Sequence, residues 1–372
     1  MKQMIQNILA LVACRSAGEA RQRTGEAGLR FVARQRTGVA GLRFVARQCA
    51  GVAGLLMVAG LLLVGCKGDD GGDGAQGAQL LLSGVTRGAT GEGENGNVMA
   101  YLHYGTTVTG GLFNYTGGDT WASDLTLSPS SSVFRMYGFM PYDPLMTSTL
   151  TSASSDGAVL TIDNVDPVGA TDLCVVTGVR AGNTPVAATP ERGTFYFDFT
   201  TGSRCYVRLL MDHLMGRVLL QLRIGSEYHR LRGITLKKLQ LRVAGMSKVT
   251  ATVTLRRDVG IQYVGYSSGA TADALYDVWS GKQALTESYA PFLGANVAVS
   301  SDVLDRLSLV ATYDIYDAEG NPIRRNETAE NTLSAAASTV RRGEEKTIRL
   351  TVEPSYLYVL SDWDAPTFKV DE

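Results

Sequence analysis

Val249, Ala251, Val253 and Leu255 alternate strictly with Thr250, Thr252, Thr254 and Arg256, and runs of the same period recur along the chain after Asn97. Successive side chains of a strand point to opposite faces, so this alternation marks strands buried on one side, the habit of antiparallel sandwiches. Val218, Leu220, Leu222 and Ile224 form one such face, with Arg217, Gln221 and Arg223 on the other. Leu307, Leu309, Ala311, Tyr313 and Ile315 form another, ahead of the turn residues Asp317-Ala318-Glu319-Gly320-Asn321-Pro322. Ile348, Leu350 and Val352 form a third, stopped by Glu353-Pro354. Ile234 and Leu236 are even-numbered whereas Leu239, Leu241 and Val243 are odd, so the phase slips at Lys237-Lys238 and predicts a β-bulge there. Helical signal is confined to residues 272–279 and 327–337.

The alternating body is therefore expected to be all-β, two antiparallel β-sandwiches in tandem. The charged stretch Arg256-Arg257-Asp258 closes a strand and sets the boundary: an N-terminal sandwich over residues 98–257 and a C-terminal one over 258–372. The 42 glycines of the 372 residues suit a chain with many turns.

What precedes this body has a different chemistry. Residues 1–65 carry nine Lys and Arg against two Asp and Glu, while the rest of the chain has a net charge of −8. Residues 49–65 form an uncharged apolar run, just short of the ~20 residues that span a bilayer comfortably. A charged segment, a short apolar core and then small residues is the layout of a secretory signal. The run ends in Leu63-Val64-Gly65-Cys66, which looks like a bacterial lipobox, a small residue before the cut and a cysteine to be acylated. Several acyl chains on Cys66, palmitate among them, would hold the protein to a membrane stably where one would not. A transmembrane anchor with an incidental cysteine is the competing interpretation, and the polar stretch Lys67-Gly68-Asp69-Asp70-Gly71-Gly72-Asp73-Gly74 that follows at once favours lipidation. Upstream, residues 21–33, 34–46 and 47–59 repeat every thirteen residues, too short a unit for a solenoid and out of phase with a helix. The leader is thus 1–65, followed by a lipidated, flexible tether over 66–97 with a first strand at residues 79–86.

Enzyme motifs occur as strings and fail on context. Gly91-Glu92-Gly93-Glu94-Asn95-Gly96 spells a dinucleotide fingerprint but precedes a strand-like run, and its two glutamates would repel a pyrophosphate. Gly265-Tyr266-Ser267-Ser268-Gly269 spells a nucleophile elbow, yet His103, His213 and His229 all precede Ser267, the wrong order for a hydrolase. Asp212-His213 is an adjacent pair whose side chains point to opposite faces if extended. Three scattered histidines and the two cysteines left after the tether, Cys174 and Cys205, offer no zinc spacing. Those two cysteines either pair or serve as small core residues. The expectation is no catalytic residue, no cofactor, no metal and no nucleic-acid partner, the last because the mature chain is acidic.

Several segments together resemble the fimbrillin-like family, the subunits and accessory proteins of Bacteroidales type V pili. Thr120-Trp121 followed by Phe134-Arg135-Met136-Tyr137-Gly138-Phe139-Met140-Pro141 is similar to the family's Trp strand and aromatic strand. Met211-Asp212-His213-Leu214-Met215-Gly216-Arg217-Val218 is similar to its His-Leu motif, and residues 347–362, TIRLTVEPSYLYVLSD, to its closing strands. The resemblance implies two transthyretin-like sandwiches, export as an outer-membrane surface lipoprotein, and cell adhesion through a fimbrium assembled by strand exchange with other subunits. It also implies proteolytic processing after an arginine in the tether, for which Arg87 is the candidate. Leu80, Leu81 and Leu82 would then belong to the released strand, and Phe368 and Val370 to a donor strand at the C-terminus. An alternative is a surface lipoprotein that does not polymerise and binds a glycan or host ligand, with Trp121, Trp279 and Trp363 as stacking candidates.

Overall fold

A computed structural model describes residues 77–87, 96–117, 120–182, 188–354 and 366–371. Cys66, the leader, the first part of the tether and Trp363 lie outside the described residues.

The chain opens with β1 (Ala78–Arg87), β2 (Val98–Tyr104), β3 (Thr107–Gly117), β4 (Thr120–Ser123), β5 (Thr126–Leu127) and β6 (Val133–Met140). It then leaves this sheet for β7 (Thr147–Thr151), β8 (Gly157–Val165) and β9 (Val168–Gly169), and returns as β10 (Cys174–Gly182), β11 (Tyr196–Asp198) and β12 (Arg204–His213). The order β10-β12-β1-β4-β3-β2-β6 closes on itself where Met140 and Phe139 pair with Cys174 and Val175, giving a seven-stranded barrel-like ring. Closure removes the free edges that short strands would otherwise expose.

The barrel is filled by one side of each strand. Val98, Ala100 and Leu102 of β2, Phe134, Met136 and Met140 of β6, and Cys205, Val207, Leu209 and Met211 of β12 share its core. The opposite faces are not all solvent: Tyr101, Tyr137, Phe139 and Val175 pack outward into a second, larger core. Aromatic-rich β6 is thus buried on both faces. It crosses β2 at Gly138, where any Cβ would sit 2.3 Å from the Met99 carbonyl oxygen.

The second body holds β13 (Met215–Ile224), α1 (Ser226–His229), β14 (Gly233–Val243), β15 (Lys248–Arg256), β16 (Gly260–Ala270), β17 (Ala274–Ala284) and β18 (Ala290–Ala298). After these come α2 (Ser301–Leu304), β19 (Leu307–Tyr316), β20 (Pro322–Thr332), α3 (Ser334–Ala337), β21 (Glu345–Pro354) and β22 (Pro366–Asp371). They form three sheets in the orders β22-β21-β13-β18-β9, β17-β14-β19-β20 and β16-β15-β8-β7. The fold is nearly all β, as the alternation implies.

The chain changes sheet at Leu214, and residue 257 lies within a hairpin. β12 ends at His213 in the barrel, β13 begins at Met215 in another sheet, and the buried Leu214 donates its N–H to the Leu173 carbonyl at 2.7 Å. Arg256-Arg257-Asp258 belongs to the hairpin between β15 and β16, whose strands pair from Lys248↔Ala270 to Arg256↔Gly260. A charged turn is the same signal at a hairpin and at a domain boundary.

The bulge expected at Lys237-Lys238 is present, with the register shifting between Leu236 and Lys238 against both β17 and β19. The helical expectations fail. Residues 274–284 form β17, and residues 327–332 belong to β20, leaving only the one-turn α3 of that signal. Pairing of β17 with β14 overrides the local helix preference of Ala and Leu.

Candidate functional site

β1 occupies an asymmetric place in the barrel. One edge runs parallel to β12 with eight paired positions, from Gln79↔Arg204 to Arg87↔Met211. The other edge meets β4 at Leu82↔Trp121 and β5 at Ala78↔Leu127 and Gln79↔Thr126. Ser83 is the bulged residue on the β12 side, and its hydroxyl donates to the Val207 carbonyl at 3.0 Å.

The side chains of β1 alternate as its sequence requires. Ala78, Leu80 and Leu82 enter the barrel core, whereas Leu81 is half-buried on the other face. Burying two leucines and an alanine contributes about 5 kcal/mol. That is comparable to the whole stability of many domains. The strand is therefore a filling piece of the barrel, held by an eight-position ladder broken at Ser83 on one edge and by shorter pairings on the other. Arg87 is its last residue, its backbone opposite Met211, and the bond that follows it leads into residues outside the description.

The C-terminal strand is held in cis. β22 lies antiparallel to β21 as the outer strand of its sheet, with Leu350↔Val370 and Val352↔Phe368. Phe368 is buried with its ring 5.7 Å from that of Tyr313, and Val370 is half-buried against the same core. Lys369 pairs with Glu353, and the Thr351 hydroxyl donates to Asp371 Oδ2 at 2.6 Å.

A third feature sits where the chain crosses between barrel and second body. A cleft of about 500 Å³ is lined by Asp172, His213, Leu293, Gly343 and Glu344 among others. Cys174 and His213 stand opposite each other in the β10–β12 ladder. His213 Nδ1 lies 2.6 Å from Asp172 Oδ2 and 3.5 Å from Cys174 Sγ. The neighbouring Asp212 faces away and pairs with Arg192, so the two side chains do point apart. Nearby, the buried Tyr266 hydroxyl donates to the Leu214 carbonyl at 2.8 Å, and burial pushes its phenol well above the usual range.

The sequence offers no metal spacing, yet the fold brings one donor each from Asp172, Cys174 and His213 within 4.8 Å of one another. The available signal was weak: Asp172 and Cys174 are two positions apart, but His213 is 41 positions from Asp172. The other strings stay apart from any cluster. Ser267 is exposed mid-strand on β16 opposite Thr250, with no turn of the elbow type around it. Cys174 and Cys205 are both buried and are not joined in a disulfide; Cys174 begins β10 opposite His213, and Cys205 lies near the far end of β12. Trp121 is buried in the barrel with its indole N–H donating to the Gly96 carbonyl at 3.0 Å, so it presents no stacking face. Trp279 is half-buried, edge-on to Phe292 at 5.3 Å.

No family model matches the chain, and no curated protein sequence matches it significantly. Among solved structures, a candidate cell adhesion protein from Bacteroides uniformis is 11% identical at a TM-score of 0.37, over 80% of this chain and 98% of that one. A fimbrial protein from Bacteroides vulgatus is 12% identical at a TM-score of 0.31, over 80% of this chain and 99% of that one. The fimbrial anchor protein Mfa2 from Porphyromonas gingivalis is 10% identical at 0.29, over 79% of this chain and 97% of that one.

Proposed function

We propose that the protein is a fimbrial subunit or pilus accessory protein, anchored at the outer cell surface by lipid on Cys66 and joined to other subunits by strand exchange. The observation that carries this reading is the position of β1, a strand that fills the barrel core with Leu80 and Leu82 yet has a long ladder on one edge only. Hydrolysis of the bond between Arg87 and Gly88 would disconnect it from the rest of the barrel. Its departure would leave an apolar groove beside β12, whose free N–H and C=O groups would accept an extended strand from another subunit. Such a strand needs apolar side chains at alternate positions to replace Leu80 and Leu82. The C-terminal segment bearing Phe368 and Val370 has that pattern, and it would have to peel from β21 before donating itself. The role proposed is assembly and adhesion rather than catalysis.

The test is treatment of the purified chain with an arginine-specific protease. The expected result is a new N-terminus at Gly88, loss of the β1 peptide from the folded protein, and oligomers in sedimentation velocity. A product that begins at Gly88, has lost β1 and remains monomeric at every concentration would overturn assembly by this route.

A further inference from the structure

We propose that Asp172, Cys174 and His213 form a binding site for a divalent transition metal of the zinc class. The three side chains offer a carboxylate oxygen, a thiol sulfur and an imidazole nitrogen, all within 4.8 Å. Two ligands on a tetrahedral zinc with bonds of about 2.0–2.3 Å are held roughly 3.3–3.6 Å apart. The Nδ1-to-Sγ separation of 3.5 Å already meets that spacing. The Nδ1-to-Oδ2 separation of 2.6 Å is a hydrogen bond, and the carboxylate must retreat by roughly 0.7 Å to share an ion. Asp172 can do so, since it lies outside the strands, on the rim of the cleft, and its side chain is 23% exposed.

The other two donors are fixed from behind. Cys174 and His213 face each other across a β ladder that continues through Val175↔Asp212 and Val176↔Met211. The adjacent Leu214 N–H is tied to Leu173, and Gly343, at φ +72°, lies against the imidazole, where a Cβ would be 3.6 Å from Cδ2. Preorganised donors of this kind make a site rather than a chance approach. The cleft of about 500 Å³ beyond Asp172 and His213 supplies an entry path and room for a fourth ligand, water or a small anion.

The donor set also selects the ion. A thiolate with an imidazole favours zinc and its neighbours over calcium or magnesium, which take oxygen ligands. On binding, the Cys174 thiol releases its proton to solvent, and His213 gives up to solvent the Nδ1 proton that it shares with Asp172 and carries its remaining proton, taken from solvent, on Nε2, so that Nδ1 meets the metal. Thiolate and carboxylate then balance the two charges of the ion. The site would staple the start of β10 to the end of β12, beside Leu214, where the chain passes from the barrel to the second body.

Cobalt(II) is the direct probe, titrated into the full chain. The expected result is a thiolate-to-cobalt charge-transfer band saturating at one equivalent and bleached by zinc. The band should vanish in Cys174→Ser and persist in Cys205→Ser, while Asp172→Asn should weaken zinc affinity by about tenfold or more. Zinc should raise the melting temperature of the wild type and do so less for Asp172→Asn, a readout that stands even if Cys174→Ser fails to fold. Absence of the band in the folded wild type overturns the site. So does a band that survives in folded Cys174→Ser, or zinc affinity left unchanged by Asp172→Asn.

Discussion

Leu82 stands opposite Trp121 at the single described position where β1 pairs with β4, while eight positions pair β1 with β12 on its other edge. The contact is nevertheless well built, because Trp121 is buried, packs 5.4 Å from the Tyr115 ring and donates its indole N–H to Gly96. The second edge of β1 is thus held by short backbone pairings with β4 and β5, by the Leu80 N–H to Leu125 carbonyl bond and by this side-chain packing, rather than by a long ladder. Under the proposed strand exchange, an incoming strand would have to supply both that backbone pairing and apolar groups in place of Leu80 and Leu82.

Leu80 and Leu82 should therefore dominate the stability of the barrel, and Leu81 should not. Leu80→Ala or Leu82→Ala removes a fully packed side chain and is expected to cost about 2–5 kcal/mol. Leu81→Ala, on the half-buried face, should cost about 1 kcal/mol or less. Urea unfolding of the three variants checks the order, and equal losses would contradict the alternation.

His103 makes stability fall on the acid side of neutrality. It is buried on β2 opposite Arg135, and its Nδ1 has no hydrogen-bond partner among the described residues. Burial first, and then the Arg135 charge, lower its pKa from 6.5. The folded state therefore holds it neutral while the unfolded chain takes up a proton below about pH 6.5. Its contribution is intact above that pH and is lost progressively as pH falls toward the folded value. The urea midpoint measured from about pH 8 to about pH 5 should decline more in the wild type than in His103→Gln.

Cys174 and Cys205 should remain thiols in an oxidising medium. In the β10–β12 pair Cys174 faces His213, eight residues along β12 from Cys205, so the two are separated by about 26 Å, against a limit of about 7 Å for a bridge. Burial pushes the Cys205 thiol up to about 12, which leaves almost no thiolate near neutral pH. Alkylation mapped by mass spectrometry should miss Cys205 in the native protein and find it after unfolding. Recovery of a peptide linking the two cysteines would contradict the register.

The legible parts of this fold are those set by neighbours in sequence. Alternation at Val249–Leu255 gives β15, and the parity slip at Lys237-Lys238 gives the bulge, because each depends on which face a side chain takes. Partner choice is not local. Nothing in Met140 or Cys174 announces that they pair to close a barrel, nor that β13 joins the sheet of β21 and not that of β12. The Asp172–His213 contact was hidden for the same reason, since it exists only after β10 and β12 find their register. The apolar run Leu80–Leu82 was legible as a strand but not as a wall of the barrel.

The C-terminal strand gives the last prediction. β22 is the outer strand of its sheet, anchored by Phe368 against Tyr313 and by the pairing of Lys369 with Glu353. Removing residues 366–372 deletes a buried aromatic, which costs about 3–5 kcal/mol, and bares the outer edge of β21. An open, apolar edge pairs readily with another extended chain. The truncated protein should therefore self-associate, and a peptide of sequence PTFKVD, residues 366–371, should bind it and reverse the association. The same peptide carrying Phe368→Ala should bind far less well, since it keeps the backbone groups but loses the side chain that fills the core. If truncation leaves too little folded protein, Phe368→Ala in the full chain gives the alternative measurement: a loosened β22 that captures the added wild-type peptide. A truncated protein that stays monomeric and ignores the peptide would show that β21 does not accept a strand in trans.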